Sequence, residues 1–413
     1  MQFYKKYDNG LRVVVNKMDS IKSVSVGVLV KTGSVNESSE LNGISHYIEH
    51  MLFKGTTTKT AFEISDTIDS IGAQINAFTS KEITCYYTKS TSEHFRKSFE
   101  VLSDIFFNST FLEEESKKEK GVIIEEINMY EDMPEDLCLD LLSEAFFGKT
   151  GLGQTIIGNE QTVNSFTKDM VLRYMDEYYT PENVVISISG NIDEKLAFEV
   201  VEEEFLKLFT RKNNKRSSII EKPTFNGNIL KVKDIEQSHI AIAFPTFNVA
   251  DDRSDIFNIA NTVLGGGMSS RLFQTVREKL GLAYSVYSYP SLYETNGVLD
   301  IYAGVNPKSR DLAFEEILKE IKKIKKGITE KEFLRGREQI KSSFIMGQEN
   351  SATQMLLYGK FMLFFDKLFS FDEKIERINK TTLTAVNDIL EESFDFSKMA
   401  LATVGRDDKK LTY

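Results

Sequence analysis

Apolar and polar positions alternate in short runs near the N-terminus. Residues 3–17 alternate around Asp8-Asn9-Gly10, which predicts two strands joined by a turn, the second starting at Leu11. Residues 23–30 alternate again and predict a strand. A loop with Gly33 and Asn36 follows, and the period then lengthens. A helix is expected from about 43 to 53, and another over 61–71, with Phe62, Ile64, Ile68 and Ile71 on its apolar side and Gly72 ending it. Residues 74–80 and 83–88 return to strand spacing. Residues 92–107 place Phe95, Phe99, Leu102 and Phe106 on one helical face. A helix over 113–131 opens with acidic residues, as a helix N-terminus favours. Helices over 137–147 and 169–178, a buried strand over 184–189 and a helix over 194–209 close the first half.

The polar, basic stretch 210–218 has no periodicity and reads as a linker. Beyond it the element order repeats. A strand at 240–244 answers 23–30, and a helix at 253–264 answers 43–53. A strand at 298–302 answers 83–88; helices at 310–325 and 330–344 answer 92–107 and 113–131. A helix at 382–396 followed by a strand at 399–404 answers 169–178 with its strand. The expected fold is α+β, two homologous halves of 1–212 and 219–413, each a mostly antiparallel sheet packed with helices.

The candidate chemistry sits in the helix at 43–53. It carries two of the four histidines of the chain, His46 and His50, one helical turn apart, with Glu49 beside them. His-x-x-Glu-His is the inverted zincin motif: two imidazoles grip one metal ion, and the carboxylate reaches a water on it. A catalytic zinc takes a third protein ligand and keeps one position open. By residue type the third ligand is open among His94, His239 and the acidic face of helix 113–131. There Glu119 and Glu126 lie seven residues apart on one side, although such stripes are ordinarily solvated. The repeat-equivalent helix 253–264 has no histidine, so only the first half keeps the chemistry.

Composition narrows the partners. A net charge of −11 argues against nucleic-acid binding. Two isolated cysteines, Cys85 and Cys138, form neither a disulfide framework nor a thiolate metal site. No apolar run approaches the roughly 20 residues of a membrane span. The first residues lack the apolar core of a signal peptide, so the expected location is cytoplasmic. The glycine run at 265–267 precedes no Gly-Lys-Ser/Thr, which argues against a phosphate loop.

His46-x-x-Glu49-His50 with Glu126 far downstream resembles the pitrilysin, or insulinase, family of zinc peptidases. The resemblance implies one zinc per chain held by His46, His50 and Glu126, Glu49 as general base, and Glu119 supporting the site. Asn76-Ala77-Phe78-Thr79 is similar to the family's edge strand that pairs with the substrate backbone, and Phe53 to its pocket aromatic. In the second half, Gly265-Gly-Gly-Met-Ser-Ser-Arg271 followed by Arg277 and Tyr284 resembles the signature whose arginine and tyrosine contact the substrate carbonyl. The length resembles the short branch of the family. That implies an endopeptidase for oligopeptides or unfolded, presequence-like segments, working as a homodimeric clamshell chamber with each site completed in trans. The alternative is a non-catalytic partner subunit or peptide-binding scaffold of a processing peptidase, as in relatives that have lost the motif.

Overall fold

Gly10 adopts a φ of +95°, which its missing Cβ permits, and closes the turn between β1 (Gln2–Lys6) and β2 (Arg12–Lys17). The computed structural model describes residues 1–149, 151–212 and 223–412; of the expected linker, 213–218 lie outside them. The first sheet adds β3 (Ser23–Val30), β4 (Gln74–Thr79), β5 (Thr84–Thr91) and β6 (Val184–Gly190), in the order β1-β2-β6-β3-β5-β4. Only β2 and β6 run parallel; every other neighbouring pair is antiparallel. The second sheet comprises β7 (Asn228–Val232), β8 (Ser238–Thr246), β9 (Ala283–Leu292), β10 (Gly297–Val305) and β11 (Ala400–Gly405), in the order β7-β11-β8-β10-β9. Its one parallel pair is β7 with β11. Apart from β1, the two orders and the sense of every pair coincide, so the repeat of element order is a repeat of topology.

Each sheet belongs to one compact unit. The first gathers the described residues of Met1–Ile127, Thr155–Ile219 and Gly347–Phe369, and the second those of Asn128–Gln154, Ile220–Met346 and Ser370–Tyr413. These differ from the contiguous blocks 1–212 and 219–413. The helix Pro134–Phe147 packs on β7, β8 and β11 of the second unit, and the helix Ser351–Phe365 packs on β2, β3 and β6 of the first.

These helices explain the outer face of each sheet. In β3 the valines 24, 26, 28 and 30 enter the main core of the first unit, while Ser25 and Gly27 face the other way and are buried as well. Ser25 pairs its hydroxyl with that of Ser351 at 2.9 Å, Ser187 Oγ donates to the Met355 carbonyl at 2.7 Å, and Asn16 Nδ2 donates to Gln354 Oε1. These three side chains are satisfied against a helix rather than by water. The second unit has its own core, built on Ile240, Ile242, Phe257, Leu299 and Ile321 among others.

Boundaries follow local chemistry. Pro134 occupies the first turn of its helix, where a missing N–H costs nothing, so that helix starts before the expected 137. The helix expected over 194–209 ends at Glu204 and continues as a short 3-10 turn over Leu206–Leu208.

Candidate metal centre

The helix Ile44–Leu52 is held at its start by Glu37. Its carboxylate accepts Gly43 N–H at 2.7 Å and Ser45 N–H at 2.9 Å, so a buried anion caps the positive end of the helix. Burial pushes the Glu37 carboxyl up, and those hydrogen bonds oppose it. Gly43 precedes the helix at φ +95°, with Ile157 O 2.7 Å from where a Cβ would lie. At the side, Tyr47 and Ser116 share a 2.6 Å hydrogen bond that ties the helix to Glu113–Glu131.

On this fixed helix the rings of His46 and His50 meet edge to face, centroids 4.5 Å apart. Their Nε2 atoms are 3.2 Å apart, and Glu126 Oε2 lies 3.6 Å from each. Among the described residues this is the one group of three or more His, Cys, Asp or Glu whose ligand atoms lie within 4.8 Å of one another. Zinc bonds to nitrogen and oxygen are about 2.0–2.1 Å, so tetrahedral geometry sets its donor atoms about 3.4 Å apart. Distances of 3.2, 3.6 and 3.6 Å match that spacing. The two 3.6 Å distances are too long for hydrogen bonds from the rings to the carboxylate. The donor set therefore fits zinc, with the three donors accounting for three of its four positions.

Protonation suits the same role. Burial, reinforced by the neighbouring His50, pushes His46 down from 6.5 to about 3, so its imidazole stays neutral and its lone pair is available. His50 Nδ1 lies 2.8 Å from Glu119 Oε1; with the proton on Nδ1, the ring donates there and Nε2 is left bare. Lys54 Nζ sits 2.7 Å from the other oxygen of Glu119. Burial alone would raise the Glu119 carboxyl, but the hydrogen bonds from His50 and Lys54 outweigh it and hold it below its usual range. Glu119 is 4% exposed, so the acidic side of this helix is not a solvated stripe.

Glu49 stands beside the ligands without joining them. Thr79 Oγ1 donates to its Oε2 at 2.6 Å. Burial raises the Glu49 carboxyl, opposed by that hydrogen bond. Thr79 is the last residue of β4, the free edge of the first sheet. Ala77 N–H on this edge is taken by the side chain of Asn76 at 2.8 Å. Phe78 stacks at an angle to Tyr87, with Lys360 Nζ 5.7 Å from its ring. Phe53 caps the ligand helix and packs against the core.

His94 Nε2 lies 3.7 Å from the exposed Glu93 carboxylate, and His239 Nδ1 is 2.7 Å from the Tyr302 hydroxyl, so neither joins the cluster. Arg277 and Tyr284 belong to the second unit. Arg277 sits in a π-helical turn, Phe273–Lys279, with its guanidinium 4.7 Å from the Phe273 ring and 5.5 Å from that of Tyr284, which is 75% exposed. The preceding glycine-rich loop is anchored by the Arg271–Glu332 pair, bidentate at 2.8 and 2.9 Å. The sequence motifs single out neither Glu37 nor Lys54, and they place Thr79 only in the edge strand. Glu37 was the most readable of the three, an acid shortly before a glycine-capped helix.

Residues 12–160 match the model described as insulinase (peptidase family M16), and residues 165–340 that described as peptidase M16 inactive domain. A Bacillus subtilis protein called uncharacterized zinc protease YmxG is 44% identical over 94% of this chain and 95% of its own. An uncharacterized zinc protease of Rickettsia felis is 38% identical over 90% of each. Among solved structures, a protease from Helicobacter pylori superposes with a TM-score of 0.89 at 23% identity, covering 98% of this chain and 99% of that one. A structure described as peptidase M16 inactive domain, from Pseudomonas fluorescens, reaches 0.91 at 17% identity over the full length of both. Two family models in tandem and relatives alike along nearly their whole length leave one assignment: the chain belongs to the insulinase family of zinc proteases, peptidase family M16.

Proposed function

We propose that the chain is a zinc-dependent endopeptidase that cleaves oligopeptides or unfolded, presequence-like segments. In this reading His46, His50 and Glu126 hold one zinc per chain. The observation that carries it is the convergence of two Nε2 atoms and one carboxylate oxygen at 3.2–3.6 Å, with an unliganded carboxylate, Glu49, next to them. When bound, zinc lowers the pKa of water towards about 7 and acts as a Lewis acid on the scissile carbonyl. Glu49 takes the proton of the attacking water and delivers it to the leaving amine as the C–N bond breaks. Its burial favours the protonated state it must pass through. Glu119 fixes the ring of His50. The substrate backbone adds to the edge of β4 at Asn76, Ala77 and Phe78, with Phe53 lining a side-chain pocket. Arg277 and Tyr284 supply donors to the carbonyl oxygen as it gains charge.

The family resemblance supports a homodimeric chamber in which Arg277 and Tyr284 of one chain serve the zinc of the other. No helix among the described residues is long and apolar enough to cross a membrane, which is compatible with a cytoplasmic enzyme. The deciding experiment is E49Q. Hydrolysis of an unstructured peptide should fall at least a hundredfold, the low end of what a general base contributes, while zinc content stays that of the wild type. Full activity in E49Q would remove the base. A wild-type chain that binds zinc and cleaves no peptide in a broad library would point instead to a non-catalytic partner subunit.

A further inference from the structure

Glu119 is 4% exposed, and a carboxylate that deep needs a compensating charge. His50 does not supply one in the neutral form that metal binding requires; it offers a single N–H. Lys54 does. Its Nζ lies 2.7 Å from Glu119 Oε2, while His50 Nδ1 lies 2.8 Å from Oε1, so the two residues divide the carboxylate between them. The backbone is arranged for this. Lys54 follows His50 by one helical turn, and its N–H closes on Met51 O at 3.1 Å just past the helix end.

We propose that Lys54 is a positioning residue of the metal centre, acting through Glu119 on the ring of His50. The proposal rests on the zinc reading above. With the ammonium in place the carboxylate is neutralised and fixed, and His50 keeps a stationary acceptor for Nδ1–H. Without it the carboxylate has no counter-charge and no second anchor, and the orientation of the imidazole loosens. Lys54 also borders a cavity of about 530 Å³, walled by the loop 55–60, Leu112 and Glu115 among others.

The test measures zinc affinity of the full-length, metal-stripped chain by competition with a chromophoric chelator, with circular dichroism confirming the fold of each variant. K54M should weaken zinc binding about 10-fold, the lower end of what is lost when a metal ligand's orienting partner is removed. K54R should restore affinity close to wild type. In an E119Q background K54M should have no further effect, because the residue through which it acts is gone. A purely structural role for Lys54 predicts the opposite, a loss that persists beside E119Q. K54Q gives the same comparison if K54M does not fold. Wild-type affinity in K54M, or additive losses in the double variant, would overturn the role of Lys54 alone. Failure of the wild type to bind zinc would overturn the metal reading with it.

Discussion

His46 shows how a single buried side chain links chemistry to stability. In the folded chain burial holds its pKa at about 3, against an ordinary value of 6.5. Between those values the unfolded chain binds a proton that the folded chain refuses. The contribution of His46 is thus unfavourable throughout that window: it is absent above about pH 6.5 and grows as pH falls towards 3. For the metal-stripped protein, acidification to about pH 5 should remove about 2 kcal/mol through this residue. H46Q cannot take up that proton. Thermal unfolding of wild type and H46Q, both metal-stripped, should therefore show the wild type losing more stability between about pH 7.5 and pH 5; parallel losses would mean that His46 titrates normally in the fold. At this scale the cluster of candidate ligands was largely legible. His46, Glu49 and His50 stand in one motif, and Glu126 came from the resemblance. The contacts of Glu37, Lys54 and Thr79 at the site were not legible, because each depends on how the chain folds back on itself: a helix cap, an ion pair and a hydrogen bond from a strand end.

Elements with one wet face could be read from their period, and the helix Ser351–Phe365 could not. Its Met355, Tyr358, Met362 and Leu363 are buried, and Leu356, Leu357, Phe361 and Phe364 are half-buried, so apolar residues surround the axis and no stripe marks it. The same helix explains why β3 carries a buried serine, Ser25, that an alternating pattern would have assigned to water. Its close approach depends on Gly359, where a Cβ would lie 2.7 Å from Leu29 Cδ1 and 2.9 Å from Ser187 Cβ. G359L should destabilise the fold by about 1–3 kcal/mol, as overpacking does. Gly121 is the contrast, an exposed helical glycine with nothing within 4 Å of a Cβ. G121A should stabilise by roughly 0.5–1 kcal/mol. Chemical denaturation of the two variants measures both signs, and equal midpoints would mean that the helix does not lie against β3 and β6 as closely as described.

At the scale of the molecule, the duplicated strand order was legible because sheet topology is carried by the order of elements. The exchange of Pro134–Phe147 and Ser351–Phe365 between the units was not, because a helix shows in sequence that it is buried but not which sheet buries it. One division of labour follows from the duplication. The first copy holds His46, His50 and the proposed base Glu49; the second, with no histidine in Arg253–Leu264, carries Arg277 and Tyr284. If the two sets meet across a dimer, as proposed, inactive chains should rescue one another. An E49Q chain keeps its Arg277 and Tyr284, and an R277A/Y284F chain keeps its Glu49. In a mixed dimer completed in trans, the site with the intact base receives the intact arginine and tyrosine of the other chain, so one of two sites works. With equal amounts and random pairing, half the dimers are mixed, and the mixture should recover roughly a quarter of wild-type activity. Completion in cis leaves every site in every dimer defective, and the mixture stays as inactive as its components. The same pair tests dimerisation itself: rescued activity must fall on dilution as the mixed dimers dissociate, whereas specific activity that stays constant through dissociation would rule out a site shared between chains.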